Sequence, residues 1–362
     1  WLAALIKAAG VEHAVPALNT ALDWVYEQES SMIPQRLIDE MEGIAQGLCD
    51  AQSAETTRTT EGQEQEQEQE QEACDVSEWT IKIKRVNMLP ELIRMTCTML
   101  GAWDQASASG NLLQLRALDF GSGPFANYTT LAVHRPGDGA RSFASVSFPG
   151  LVGIITGISE GGIGLSEKVW ELYNTSTGVQ PGAYDGEPVV CVIRDIVELA
   201  DDRASAEAYM RGANRTWSVF LGVGDFSTNE MDIVGYRHDD LHVYTPETMP
   251  AITLQPEFEN LVYVDKHPQP SQADDLPVLI EDHYGSIDIQ PIMNISAQHE
   301  TGDLHIAVYD FGSPDNAHAD AMMWVAIGRI DKTGDYGPDG VAWKAAYRPY
   351  LSFKLSDLWT GI

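Results

Sequence analysis

The chain reads as an α+β protein in which two sheets are covered by helices, and three observations predict it. Apolar residues recur at helical spacing through roughly the first fifty residues. From Cys97 onward strand-like segments dominate. The helical segments fall in clusters between runs of strands, which disfavours a regularly alternating parallel sheet.

Leu2, Leu5, Ile6, Val11, Val15, Leu18, Leu22 and Val25 mark helical periodicity, resumed by Ile33, Leu37, Met41, Ile44 and Leu48. Pro34 suits an early helical position after Ser30 and Ser31 as caps. The composition then changes. Residues 56–72 repeat Glu-Gln with no apolar residue and cannot bury enough surface to offset ordering entropy, which predicts a disordered surface loop over about 52–75. An acidic recognition tail is the alternative there. Alternation resumes at 81–86, and 89–95 delivers the chain to Cys97. Strands are predicted at 142–148, 151–156, 218–223, 231–236, 304–309 and 322–327, and helices at 166–173, 188–199 and 204–212. Residues 246–277, rich in Pro, Asp and Gln, read as a long excursion within one domain, with a domain linker as the alternative.

With 362 residues, 44% of them hydrophobic, the chain can build a sizeable core as one large domain or two smaller ones. No apolar run approaches the roughly 18–20 residues that cross a bilayer, so a soluble protein or one in peripheral membrane contact is expected. A start at Trp1 suggests removal of an upstream segment such as a signal peptide. The sequons at Asn127, Asn174, Asn214 and Asn294 are glycosylation candidates that favour a secretory or lysosomal route. A formal charge of −32 argues against a nucleic-acid partner, because phosphate would repel it. The acidity serves either solubility or an acidic compartment, where partial protonation relieves self-repulsion.

Of the four cysteines, Cys191 sits among Val189, Val190, Val192 and Ile193 and reads as an inert buried thiol. Cys49 and Cys74 flank the Glu-Gln insert, and a disulfide between them would staple its base in an oxidising compartment. Cys97 is left free. There is no Cys-x-x-Cys pair, which excludes a zinc ribbon or a thioredoxin motif. Cys97-Thr98 is followed by Arg116-Ala117-Leu118-Asp119-Phe120, and the stretch between reads as strand, Gly110-Asn111 turn, strand. Cys97 and Arg116 are thereby expected on neighbouring strands. Taken alone, this pattern is also what a structural cysteine beside a salt bridge would show.

The pattern resembles the cysteine branch of the N-terminal-nucleophile hydrolases, the group holding acid ceramidase, N-acylethanolamine acid amidase and the penicillin acyltransferases, with the acid-ceramidase-like subgroup the nearest fit. The resemblance extends upstream through residues 40–47 and through Glu91 and Leu92, and downstream through 148–153, 156–163 and 303–310. It implies a four-layer αββα sandwich. It also implies cleavage between Thr96 and Cys97, giving a helical segment 1–96 held non-covalently to a catalytic domain 97–362. Cys97 would be the nucleophile with its own α-amine as base, Arg116 would steady the thiolate and the substrate carbonyl, and Asp119 would hold the α-amine. Trp103, Ser159 and Glu160 are placed in the substrate site. The family's oxyanion Asn corresponds to Ser218, a departure, since a hydroxyl donates one hydrogen bond and loss of such a donor costs on the order of 10²–10³ in rate. The expected activity is hydrolysis of N-acyl amides such as ceramide-like or N-acylethanolamine-like lipids; acyl transfer and an inactive secreted scaffold are the alternatives. No cofactor or metal is implied.

Two competing motifs remain. Gly157, Ser159 and Gly161 match the nucleophile elbow of serine hydrolases, but Gly161, Gly162 and Gly164 make a poor helix start. His238 and His242 have the spacing of helical metal ligands, yet their neighbours predict a hairpin turn, and the segment 331–340 reads as a solvated turn and not a calcium loop.

Overall fold

In the computed structural model, the structure describes residues 15–60, 74–93, 96–120, 124–137, 139–170, 184–216, 218–249, 254–271, 275–316, 318–329 and 343–360. The N-terminal helices are α1 (Val15–Glu29), α2 (Gln35–Thr60) and α3 (Val76–Leu92). On α2, Leu37, Met41, Ala45 and Cys49 recur every four residues and are buried, which explains why this stripe docks as a helix. The Cys49–Cys74 disulfide predicted from the flanks of the insert ties α2 to the residue before the α3 cap, with the Cα atoms 5.3 Å apart. The start of the loop expected over about 52–75 is helix instead. Once nucleated, α2 propagates through the helix-forming Ala51, Gln52 and Ala54 as far as Thr60, while 61–73 lie outside the described residues.

The strand-like alternation at 81–86 is a helix instead. Asp75 caps α3 by accepting from the N–H groups of Ser77 and Glu78, and Lys82 pairs with Glu78 one turn away. Ile83, Val86 and Leu89 form its buried face, while Ile81 is left exposed.

Two antiparallel sheets stack beyond the helices. The first has the order β10 (Leu261–Val264), β1 (Thr96–Ala102), β2 (Leu113–Asp119), β11 (His305–Asp310), β12 (Met322–Ile327), β13 (Leu351–Lys354). The second runs β3 (Thr130–His134), β4 (Phe143–Ser147), β5 (Thr156–Ser159), β6 (Ile163–Val169), β7 (Val219–Asp225), β8 (Glu230–Tyr236), β9 (Leu241–Tyr244). Met99, Ala307, Tyr309 and Met323 of the first sheet meet Phe220, Met231 and Ile233 of the second in an inter-sheet core. Leu100, Leu115, Ile306 and Val308 pack outward on α6 (Asp275–His283) and α7 (Ile289–Gln298). Leu165, Leu221 and Val223 pack outward on α4 (Val189–Leu199), α5 (Arg203–Gly212) and the N-terminal helices. The layers are therefore helix, sheet, sheet, helix: the αββα sandwich. Among the described residues no helix is long and apolar enough to cross a membrane.

Two further expectations are corrected. The helix predicted at 166–173 is largely strand β6. All seven β6 residues are buried, so its two covered faces show no alternation, and the run Ser166, Glu167, Lys168 imitates a helix surface. The strand predicted at 151–156 begins only at Thr156. Before it, the Asn87 side chain accepts from Val152 N (2.7 Å) and Gly153 N (3.1 Å) and donates to Gly150 O (2.8 Å), replacing a strand partner. Within the excursion 246–277, β10 closes one edge of the first sheet beside β1.

Candidate active site

Cys97 is the second residue of β1. Register pairs it with Leu118 and pairs Met99 with Arg116, making Cys97 and Arg116 diagonal neighbours on one face of the sheet. The Arg116 guanidinium is fully buried and its four contacts define the site. Nη2 lies 3.4 Å from Cys97 Sγ and 3.5 Å from Glu167 Oε2, Nε donates to Glu167 O at 3.4 Å, and Nη1 meets His305 Nε2 at 2.8 Å. Thr156 Oγ1 of the second sheet also lies 3.1 Å from His305 Nε2. One arginine thus joins β1, β2, β6 and β11, which the gap between the sheets brings together.

Asp119 stands opposite Thr96 and belongs to the other face of β2. Its carboxylate accepts from Thr301 Oγ1 (2.6 Å), Gly302 N (2.6 Å) and Asp303 N (3.3 Å). Gly302 adopts φ +88°, and a Cβ there would collide with Ile306, so glycine is required for its N–H to reach the carboxylate. The Thr301 hydroxyl also lies 2.8 Å from Thr98 Oγ1, tying this face of β1 to the same turn. Asp119 therefore faces away from the thiol.

Burial pushes the Cys97 thiol up to about 12; Arg116 opposes this, Glu167 adds to it, and weaker effects of Lys168 and Asp119 follow. Burial raises Glu167 to about 7 against Arg116 and Lys168. Asp119 is raised by burial, opposed first by the Thr301 hydrogen bond. His305 is held well below its ordinary value by burial and by Arg116. With the chain continuous through Thr96 and Cys97, the thiol is a neutral group waiting for a base.

The remaining predicted residues do not converge on Cys97. Trp103 lies just past the far end of β1, about 20 Å from Cys97 at the rise of a strand, and packs in the inter-sheet core. Ser159 is buried three residues from Thr156 and on the opposite face of β5; its Oγ accepts from Ile163 N (3.2 Å) and so builds the β5–β6 turn. That turn joins strand to strand, which removes the elbow geometry a serine hydrolase needs. Glu160 is exposed on the same turn, its N–H bonded to Ser142 O. Ser218 precedes β7, three residues (about 10 Å) along from the position opposite Glu167, and its carbonyl accepts from Trp170 N. It is not brought to the thiol as an oxyanion donor.

Asn127, Asn214 and Asn294 are exposed, and Asn174 lies outside the described residues, as does the segment 331–340. His238 and His242 flank the β8–β9 turn, and among the described residues no group of three or more His, Cys, Asp or Glu is arranged to hold a metal. Glu167, His305, Thr156 and Thr301 were not singled out from the sequence. Thr156 and His305 fall inside the segments 156–163 and 303–310, so the segment resemblance was the available signal, without residue resolution.

An apolar cavity of about 30 Å³ adjoins the site. Val86, Leu89 and Pro90 of α3 form one wall, and Phe120, Phe148 and Ile155 the other. The Phe148 ring lies 6.4 Å from that of His305. The upstream segments of the resemblance hold α2 and α3 in place over this wall: Glu40 pairs with Arg194 of α4 at 2.9 Å, and Glu91 accepts from Val189 N (2.8 Å) and Thr216 Oγ1 (2.9 Å).

No family model matches the chain. Over 270 residues it is 34% identical to protein dcd1A of Dictyostelium discoideum, covering 71% of this chain and 58% of that protein. Over 304 residues it is 33% identical to protein dcd1B of the same organism, covering 81% and 53%. The chain thus spans somewhat more than half the length of these curated relatives. Among solved structures it is similar to a Caenorhabditis elegans ortholog of N-acylethanolamine-hydrolyzing acid amidase, with a TM-score of 0.46, 15% identity, and 61% of this chain and 95% of that one covered. It is also similar to a mutant of conjugated bile acid hydrolase from Clostridium perfringens, with a TM-score of 0.45, 10% identity, and 74% and 95% covered.

Proposed function

We propose that the chain is a self-processed cysteine amidohydrolase that cleaves linear N-acyl amides, with Cys97 as nucleophile. The observation that carries this reading is the Arg116 guanidinium held 3.4 Å from the Cys97 sulfur at the start of β1. In maturation, Sγ attacks the Thr96 carbonyl carbon, the Thr96–Cys97 C–N bond breaks, and the nitrogen takes a proton to become the Cys97 amine. Water then hydrolyses the thioester, leaving a Thr96 carboxylate and a free thiol. The reference pKa of an α-amine is near 8 and is lowered by burial and a nearby cation, so the new terminus supplies a base that the uncut chain lacks. In turnover the amine takes the thiol proton, sulfur attacks the substrate amide carbon, and the protonated amine returns its proton to the leaving nitrogen. Water completes hydrolysis of the acyl-thioester; an amine in its place would complete an acyl transfer.

The apolar wall favours a substrate with a hydrocarbon acyl group, such as a ceramide-like or N-acylethanolamine-like lipid. The cavity of about 30 Å³ is small beside a long acyl tail, so in this reading α3 moves from Phe148 and Leu151 or part of the tail lies outside it. After cleavage, the Glu40–Arg194 and Glu91–Val189 contacts would retain the small fragment, because the Cys49–Cys74 disulfide lies wholly within it. The disulfide, the exposed sequons and the −32 charge support action in an acidic lysosomal or secreted setting.

Denaturing mass spectrometry after incubation near pH 5 tests the reading. Two fragments are expected, the larger beginning at Cys97, together with release of fatty acid from an N-lauroyl amide. An uncleaved chain with full amidase activity rules out the mechanism, and a cleaved chain with no turnover favours a scaffold that has lost its oxyanion donor.

A further inference from the structure

We infer that His305 is a positioning residue for the cysteine chemistry: a neutral imidazole, protonated on Nδ1, that fixes which edge of the Arg116 guanidinium faces Cys97. The inference rests on the reading of Cys97 as nucleophile and names a residue that this reading does not use.

His305 stands opposite Leu118 while Ala307 stands opposite Arg116, so the imidazole and the guanidinium are diagonal neighbours on adjacent strands. Arginine has donors only. At 2.8 Å from Arg116 Nη1, the His305 Nε2 atom must present its lone pair, since an N–H there would set donor against donor. The proton is therefore on Nδ1. Thr156 Oγ1, 3.1 Å from the same nitrogen, adds a contact from the second sheet, so the imidazole is gripped from both layers. Both edges of the arginine fork are then assigned, Nη1 to His305 and Nη2 to Cys97 and Glu167.

A histidine that merely filled space beside Phe148 would not need this orientation. Its Nδ1 is buried with no partner among the described residues, a cost of about 1–3 kcal/mol that an apolar side chain would avoid. Without the Nε2 acceptor, Arg116 Nη1 would be left buried and unpaired, and the fork would turn toward Glu167, taking Nη2 from the sulfur.

The test compares His305→Leu, which removes the acceptor, with His305→Gln, which can offer Oε1 in its place, using the full chain and thermal melts to confirm folding. With an N-lauroyl amide, kcat of the Leu variant is expected to fall about 100-fold, the scale of a misplaced catalytic group, with KM within about twofold, and the Gln variant to stay within about threefold of the parent. Independently, ¹⁵N NMR of histidine-labelled protein is expected to show the Nδ1–H tautomer of His305, with its titration displaced well below the ordinary histidine range. A folded Leu variant with parental kcat, a Gln variant as impaired as the Leu variant, or an imidazole that carries Nε2–H or titrates in the ordinary histidine range overturns the inference. An inactive parent with the Nδ1–H tautomer overturns the amidase reading and with it the positioning role, whereas an active parent with the wrong tautomer overturns the positioning role alone.

Discussion

Cys97 sits under opposed influences: burial holds the thiol neutral, and the Arg116 guanidinium is the strongest group favouring the thiolate. Cys97→Ala should abolish both cleavage and turnover. Arg116→Lys keeps the charge but loses the fork that meets His305, Cys97 and Glu167 together, so a loss on the order of 10²–10³ in kcat is expected with cleavage slowed in parallel. Asp119→Asn replaces one acceptor oxygen by a donor facing the N–H and O–H groups of 301–303. It should cost about 1–3 kcal/mol in stability as well as activity. Kinetics with N-lauroyl amides near pH 5 beside thermal melts separates the two effects. Folded Arg116→Lys and Asp119→Asn proteins with full activity would leave Arg116 and Asp119 with structural roles only.

The junction of α1, α3 and α4 sets the pH response. Glu29, at the end of α1, is buried with both oxygens unpartnered among the described residues, and burial followed by repulsion from Glu91 raises its pKa strongly. Burial also raises Glu91, Glu167 and Glu187 to about 7 from an ordinary 4.5. Each binds its proton more tightly when folded, so its contribution to stability is complete below about 4.5 and is lost as pH rises through about 7, at roughly 1.4 kcal/mol per pH unit per proton. In the opposite sense, Asp23, lowered by its bond to Arg85, loses its stabilising effect as pH falls through the acid range. Melting temperature should therefore be highest near pH 4–5 and fall toward pH 8. Glu29→Gln should flatten the fall, because it removes one ionisation without adding a charge. A melting temperature that rises from pH 5 to pH 8, or a Glu29→Gln protein with the parental slope, would count against this account.

For the whole molecule the dominant electrostatic fact is the net charge of −32. Self-repulsion of that size opposes the compact state, and salt screens it. Raising ionic strength from about 0.01 M to about 0.15 M shortens the screening length from about 30 Å to about 8 Å. Differential scanning calorimetry should show a rise of several degrees in melting temperature at pH 7.5 and a smaller one at pH 5, where part of the carboxylate charge is neutralised. A salt-independent melting temperature at pH 7.5 would show that the charge is spread too thinly to strain the fold.

Local physics made part of this legible in the sequence. The helical stripe of α2, the cysteines at the insert's flanks and the hairpin placing Cys97 beside Arg116 depend on residues close in the chain, where periodicity and turn chemistry act directly. Long-range strand pairing within the first sheet and its stacking on the second decided the rest. Arg116 meets Glu167 across 51 residues and His305 across 189, and Asp119 meets Thr301 across 182. β6 lost its alternation because both faces are covered, and Asn87 of α3 took the N–H groups of Val152 and Gly153 that a strand partner would have bonded. The sequence by itself determined which residues could be reactive and which helices had a face to bury. Only the tertiary structure decided what else surrounds the thiol, because Glu167 and His305, which complete the contacts of its arginine, come from β6 and β11, far from β1 and β2 along the chain.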